Sequence, residues 1–198
     1  MNRTKRTAGF TLIEVMMGMS VMVVGALGIM AMQQAAMTGN MNARQVTTAT
    51  QSTELWLERV RRDSLAWNTA DAATGLGSTF YLRNAPLPGG PSVWFTPAGG
   101  LPGESSAFDY FGMEVPLAQG RYCTQMQLTW IDPGRLMRVD LRTWWHRRGD
   151  GTATADATLF PNCGSGAEAA VTTELNASPS RLHAVYASTL VRWQRLPQ

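Results

Sequence analysis

The chain carries little with which to do chemistry. Its 198 residues include one lysine (Lys5), two histidines (His146 and His183) and two cysteines (Cys123 and Cys163). No H-E-x-x-H, G-x-S-x-G or Walker A pattern occurs, so the common zinc-hydrolase, serine-hydrolase and nucleotide-hydrolysing sites are missing. We therefore expect no enzyme, no metal and no cofactor. Charge is also scarce: charged residues make up 16% of the chain, and the net charge is +3. Three of the 17 basic residues are Arg3, Lys5 and Arg6; beyond residue 9, 14 basic residues face 14 acidic ones. The basicity belongs to the extreme N-terminus, which argues against a nucleic-acid surface. No proline occurs before Pro86, so nothing forbids a long helix at the start of the chain.

What is present begins with an apolar run. From Phe10 to Met32, 23 residues hold a single charge, Glu14. A hydrocarbon core takes about 20 residues to cross. The basic flank ahead of the run keeps the N-terminus cytoplasmic and sends the remainder across. A secretory signal has a shorter apolar stretch and a small-residue cleavage site, neither of which fits here. Beyond Met32, Val46, Ala49, Thr53, Trp56, Val60, Ser64 and Trp67 recur at helical spacing with Leu57 beside them, and Glu58 precedes Arg62 by four residues. These positions predict one helix from about Phe10 to about Trp67, roughly 87 Å long, with Gly25, Gly28 and Gly39-Asn40 as its weak points.

Glu14 is the exception in the apolar run, because a carboxylate there costs roughly 2.5–3.5 kcal/mol unless it finds a partner. Its setting is specific. A short basic leader ends in Gly9, Phe10 follows, and Thr11-Leu12-Ile13-Glu14-Val15 places a glutamate five residues into the segment after Gly9. This resembles the class III leader of type IV prepilins. The resemblance implies cleavage between Gly9 and Phe10 by a prepilin peptidase and N-methylation of Phe10. It also implies that Glu14 pairs with the terminal amine of a neighbouring subunit, setting register. The segments implied are a leader (1–9), a transmembrane and filament-core helix (10–32), its amphipathic continuation (33–67) and a periplasmic or extracellular globular domain (68–198).

The rest of the chain differs in composition. All ten prolines lie between Pro86 and Pro197, and residues 75–103 are rich in glycine. That region reads as a connection with short strands near Phe80–Leu82 and Val93–Phe95. Tyr122–Ile131 alternates, Asp132-Pro133-Gly134 makes a turn, and Met137, Val139 and Leu141 alternate again, giving the strongest hairpin. A last strand runs from about Leu182 to Trp193, and residues 149–180 read mostly as loop. The fold class is α+β: a long N-terminal helix on an antiparallel sheet of roughly four strands, as in the type IV pilin fold. Trp144-Trp145 cannot both point to one side of a regular strand, so one is either exposed or covered by a loop.

Outside the cytoplasm Cys123 and Cys163 can form a disulfide, with two free thiols as the alternative. Pilins commonly bracket a C-terminal loop with one disulfide, and this pair is similar. The hairpin ending in Trp144-Trp145, with Gly25-Ala26-Leu27-Gly28 and Gln33-Gln34 in the helix, resembles the minor pilins of the PilV type. That resemblance implies a subunit that primes pilus assembly from the inner membrane and enters the pilus, at its tip. Its partners would be other minor pilins, the major pilin, the prepilin peptidase and the inner-membrane assembly platform, with roles in twitching motility and cell adhesion. A minor pseudopilin of type II secretion and a tip adhesin subunit are the alternatives.

Overall fold

The structure, a computed structural model, describes residues 11–67, 76–101, 103–146, 160–177 and 181–193. It divides into two compact units, one ending at Arg44 and one beginning at Gln45. The helix α1, Leu12–Ser64, contributes to both. It runs unbroken through Gly25, Gly28 and Gly39. Glu14 in its first turn and Arg61 and Arg62 in its last oppose the partial charges of the helix ends. It stops three residues short of the sequence estimate. The N–H groups of Leu65, Ala66 and Trp67 turn back to the carbonyls of Arg62, Asp63 and Ser64, a tighter closing turn. Glu58 pairs at 3.9 Å with Arg61, not with Arg62.

In the second unit, α1 from Thr48 onward lies on one face of an antiparallel sheet. The long strands are β4 (Tyr122–Asp132), β5 (Leu136–His146) and β6 (Leu182–Arg192). Two-residue strands β1 (Trp94–Phe95), β2 (Ala107–Phe108) and β3 (Glu114–Val115) complete six, against roughly four expected. Both β1 and β2 pair with the outer side of β4, at Met126–Gln127 and Tyr122–Cys123, so two short pieces share one long edge. Pieces of two residues leave no alternation to read, which is why the sequence pattern understates the sheet. The β4–β5 turn carries the Arg135 N–H to the Asp132 carbonyl, with Gly134 at φ 77°. Proline followed by a positive-φ glycine is what a type II turn requires.

The alternation of β4 and β5 sends Tyr122, Met126, Leu128, Met137, Val139, Leu141 and Trp145 to the α1 side. There they bury Ala49, Trp56 and Val60, with Trp67, Tyr81 and Leu82 closing the core. Trp56 is fully buried and meets Tyr81 edge to face at 5.2 Å. Part of the opposite face, around Trp144 and Arg142, is buried too, by a 3-10 turn at Pro161–Gly164 and a second helix, α2 (Glu168–Ala177). The reading of residues 149–180 as mostly loop is thus corrected over 161–177. The apolar pattern of α2 is too weak to announce a helix, since only Val171 is buried.

That second cover resolves the Trp144-Trp145 question. The two rings face opposite sides of β5 and both are buried, Trp145 in the α1 core and Trp144 beneath Phe160, Cys163 and Val171. The expected strand at Phe80–Leu82 is also absent. The Asp63 carboxylate accepts hydrogen bonds from the N–H groups of Phe80, Tyr81 and Leu82. Gathering three successive N–H groups on one carboxylate bends the chain into a 3-10 turn at Leu82–Asn84.

Candidate functional site

Among the described residues, the first unit consists of α1 from Leu12 to Arg44, and every residue from Thr11 to Arg44 is exposed. Its most apolar 18-residue window has a mean hydropathy of 2.1 and no buried residue. Length and composition are therefore sufficient to cross a membrane. The hydroxyls of Ser20 and Thr38 bond back to the Met16 and Gln34 carbonyls, four residues earlier. These groups need no outside partner. Glu14 is different: it is the only charge from Thr11 to Ala43 and sits in the first helical turn, where the Glu14 and Val15 N–H groups reach the Thr11 carbonyl. A carboxylate there is favoured by the helix N-terminus. The expected cleavage and methylation positions, Gly9 and Phe10, lie outside the described residues.

The other sequence-nominated residues fall in the second unit. A disulfide joins Cys123, at the start of β4, to Cys163 in the 3-10 turn, with Cα atoms 5.2 Å apart. Asn162 and Cys163 take left-handed backbone angles, φ 53° and 57°, a conformation non-glycine residues hold only when surrounding structure fixes it. Gly120 passes so closely that a Cβ there would lie 2.5 Å from the Cys163 sulfur. His146 and His183 lie on neighbouring strands, opposite Leu182 and Trp145 respectively, and point to opposite faces of the sheet. No group of three or more His, Cys, Asp or Glu is placed to hold a metal among the described residues.

Two buried arginines organise this unit, and neither stood out in the sequence. Arg59 of α1 lies against Glu104 and hydrogen-bonds Glu114, while its guanidinium stacks on Trp56 at 4.9 Å. Glu104 also accepts the Tyr81 hydroxyl at 2.8 Å and the N–H groups of Gly100 and Leu101. Burial raises the Glu104 carboxyl, but these hydrogen bonds and the Arg59 charge outweigh it and hold the group below its usual range. Burial, helped by Glu104, pushes the Tyr81 hydroxyl up to about 12.

Arg142 of β5 sits on the opposite face. It donates to Gln125, to the Thr172 hydroxyl and to the Glu168 carbonyl, which ties α2 to the sheet. Burial draws it down to about 10. The Glu168 carboxylate in turn holds the backbone of Thr96 and Gly166. Arg142 alternates with the apolar residues of β5 just as Arg138 and Asp140 do; the α2 that makes it interior was not expected. Arg59 could be sought only as a charge beside the apolar stripe, three residues after Trp56.

Residues 4–30 match the family model described as the prokaryotic N-terminal methylation motif. No curated protein and no solved structure matches the chain. The matched segment takes in Gly9, Phe10 and Glu14, and the structure adds a single long apolar N-terminal helix and a small antiparallel sheet packed on its later turns. Together these resemble a type IV pilin-like arrangement, with a methylation motif leading into a helix apolar and long enough to anchor in a membrane.

Proposed function

We propose that the chain is a minor pilin of the PilV type, which helps to prime type IV pilus assembly and enters the pilus near its tip. The carrying observation is the methylation motif at residues 4–30 continued by a helix whose side chains are all exposed as far as Arg44. On this reading a peptidase cuts between Gly9 and Phe10, and Phe10 is N-methylated. Residues 10–32 then anchor the subunit in the inner membrane with its C-terminal domain in the periplasm. Glu14 supplies the register device. An unpaired carboxylate in hydrocarbon is unfavourable, so docking succeeds where a neighbour's terminal amine meets it. Other minor pilins, the major pilin and the assembly platform are the partners.

A clean deletion strain tests this, with sheared surface filaments and secreted proteins quantified together. Loss of filaments with secretion intact supports the proposal. Persisting filaments with collapsed secretion would mean a pseudopilin of type II secretion instead. Mass spectrometry of the mature protein adds an independent check: the first residue should be a methylated Phe10.

A further inference from the structure

The face of the sheet that carries α2 is only half covered. Register sets four cross-strand rows on it: Cys123–Trp144–Ala184, Gln125–Arg142–Tyr186, Gln127–Asp140–Ser188 and Thr129–Arg138–Leu190. The disulfide turn and α2 lie over Trp144 and Arg142. β1 then lays the Trp94 ring on the Arg142 guanidinium, 4.3 Å away. Beyond Trp94 a cavity of about 380 Å³ opens, lined among others by Trp94, Gln127, Arg138, Asp140, Tyr186 and Ser188. That volume is at the small end of ligand sites, about 300–1,000 Å³.

Its chemistry is specific. Trp94 and Tyr186 meet edge to face at 6.4 Å, and Tyr186 is 60% exposed. The polar floor is already braced. Asp140 accepts Arg138 Nε at 2.8 Å on one oxygen and the Ser188 hydroxyl at 2.7 Å on the other, and Gln127 donates to the Ser92 carbonyl. Gln127 Oε1 and the terminal nitrogens of Arg138 have no hydrogen-bond partner among the described residues. The lining charges, Arg138 and Asp140, cancel each other.

A hydrocarbon chain would bury these polar groups without hydrogen bonds, and an ionic ligand would meet a like charge as readily as an opposite one. A neutral sugar ring has an apolar C–H face for the aromatic wall and hydroxyls for a fixed row of planar donors and acceptors. We propose that this groove binds a neutral saccharide, stacked on Trp94 and Tyr186 and hydrogen-bonded by Gln127, Arg138 and Asp140. The inference stands apart from the assembly role proposed above.

The test uses the full chain in lipid nanodiscs, since sugar-headed detergents would compete. It is applied to immobilised neutral gluco-, galacto- and N-acetylglucosamine oligosaccharides, with sialylated and uronic-acid oligosaccharides as charged controls. The expected result is retention on at least one neutral oligosaccharide. Tyr186→Ala and Arg138→Ala should each weaken it about tenfold, which is about 1.4 kcal/mol, with the filament number of the strain unchanged and, for Arg138→Ala, the unfolding midpoint unchanged as well. Trp94 and Tyr186 both neighbour the buried Arg142, so Arg138→Ala is the variant that separates binding from folding. No retention, retention of charged oligosaccharides alone, or undiminished retention in both variants would overturn the proposal. So would filament loss in Tyr186→Ala without saccharide binding, which would make the groove a contact between subunits.

Discussion

One helix carries two different surfaces. From Leu12 to Arg44 no described side chain is buried, although large apolar side chains dominate. From Thr48 to Val60 the same helix buries Thr48, Ala49, Ser52, Thr53, Trp56, Arg59 and Val60. The later surface is mixed, with hydroxyls and an arginine, and it is satisfied within the chain. The earlier surface is more apolar, and none of its described side chains is buried. Apolar content alone therefore does not locate a core: a partner does. On the function proposed above, a bilayer and neighbouring helices are the partner of the earlier stretch.

The sharpest way to test this contrast is to remove a ring from the satisfied half. Trp56→Ala should cost about 3–5 kcal/mol in denaturant unfolding of the full chain, because Trp56 is fully buried against Tyr81. Next comes the brace on the far face of the sheet. Replacing Cys123 and Cys163 by serine should cost about 3–4 kcal/mol, as closing a loop of this size predicts, and the non-reduced chain should then unfold like the reduced parent. Arg59→Ala should cost about 1–3 kcal/mol, since Glu104 and Glu114 lose their charged donor.

That variant also has a pH signature. Glu104 titrates below the ordinary carboxylate range in the folded chain. Its contribution is present above that range and disappears as pH falls through the lower folded value. The parent should lose stability over that acid interval, and Arg59→Ala should lose less. The smallest effect belongs to the exposed half: Leu27→Ala should leave domain unfolding within about 0.5 kcal/mol of the parent. A Leu27→Ala loss as large as that of Trp56→Ala would collapse the contrast altogether.

Legibility in the sequence followed periodicity. The long helix, the hairpin around Asp132-Pro133-Gly134 and the last strand each repeat a pattern over ten or more positions, and all three are present. Short pieces were mostly invisible because two residues make no pattern, as with Ala107–Phe108 and Glu114–Val115; Trp94–Phe95 does fall within the strand expected at Val93–Phe95. α2 was hidden by its Ala- and Thr-rich composition and a single buried valine. The methylation motif was legible because it joins residue identity to position. The buried arginines were not, because what buries Arg142 is an element 26 residues further along the chain, and what neutralises Arg59 is 45 and 55 residues away.

Between α1 and the sheet, the Thr53 hydroxyl meets that of Thr143 at 2.7 Å, and Thr143 meets Thr124 at 2.9 Å. These hydroxyls and the Arg59 clamp lie along the helix axis, inside an otherwise greasy contact that by itself would tolerate sliding. Shifting the helix by one turn, about 5.4 Å, would break the hydroxyl chain and both carboxylate contacts at once. The register of α1 on the sheet is therefore set by polar contacts at fixed positions, and apolar packing alone would not choose it.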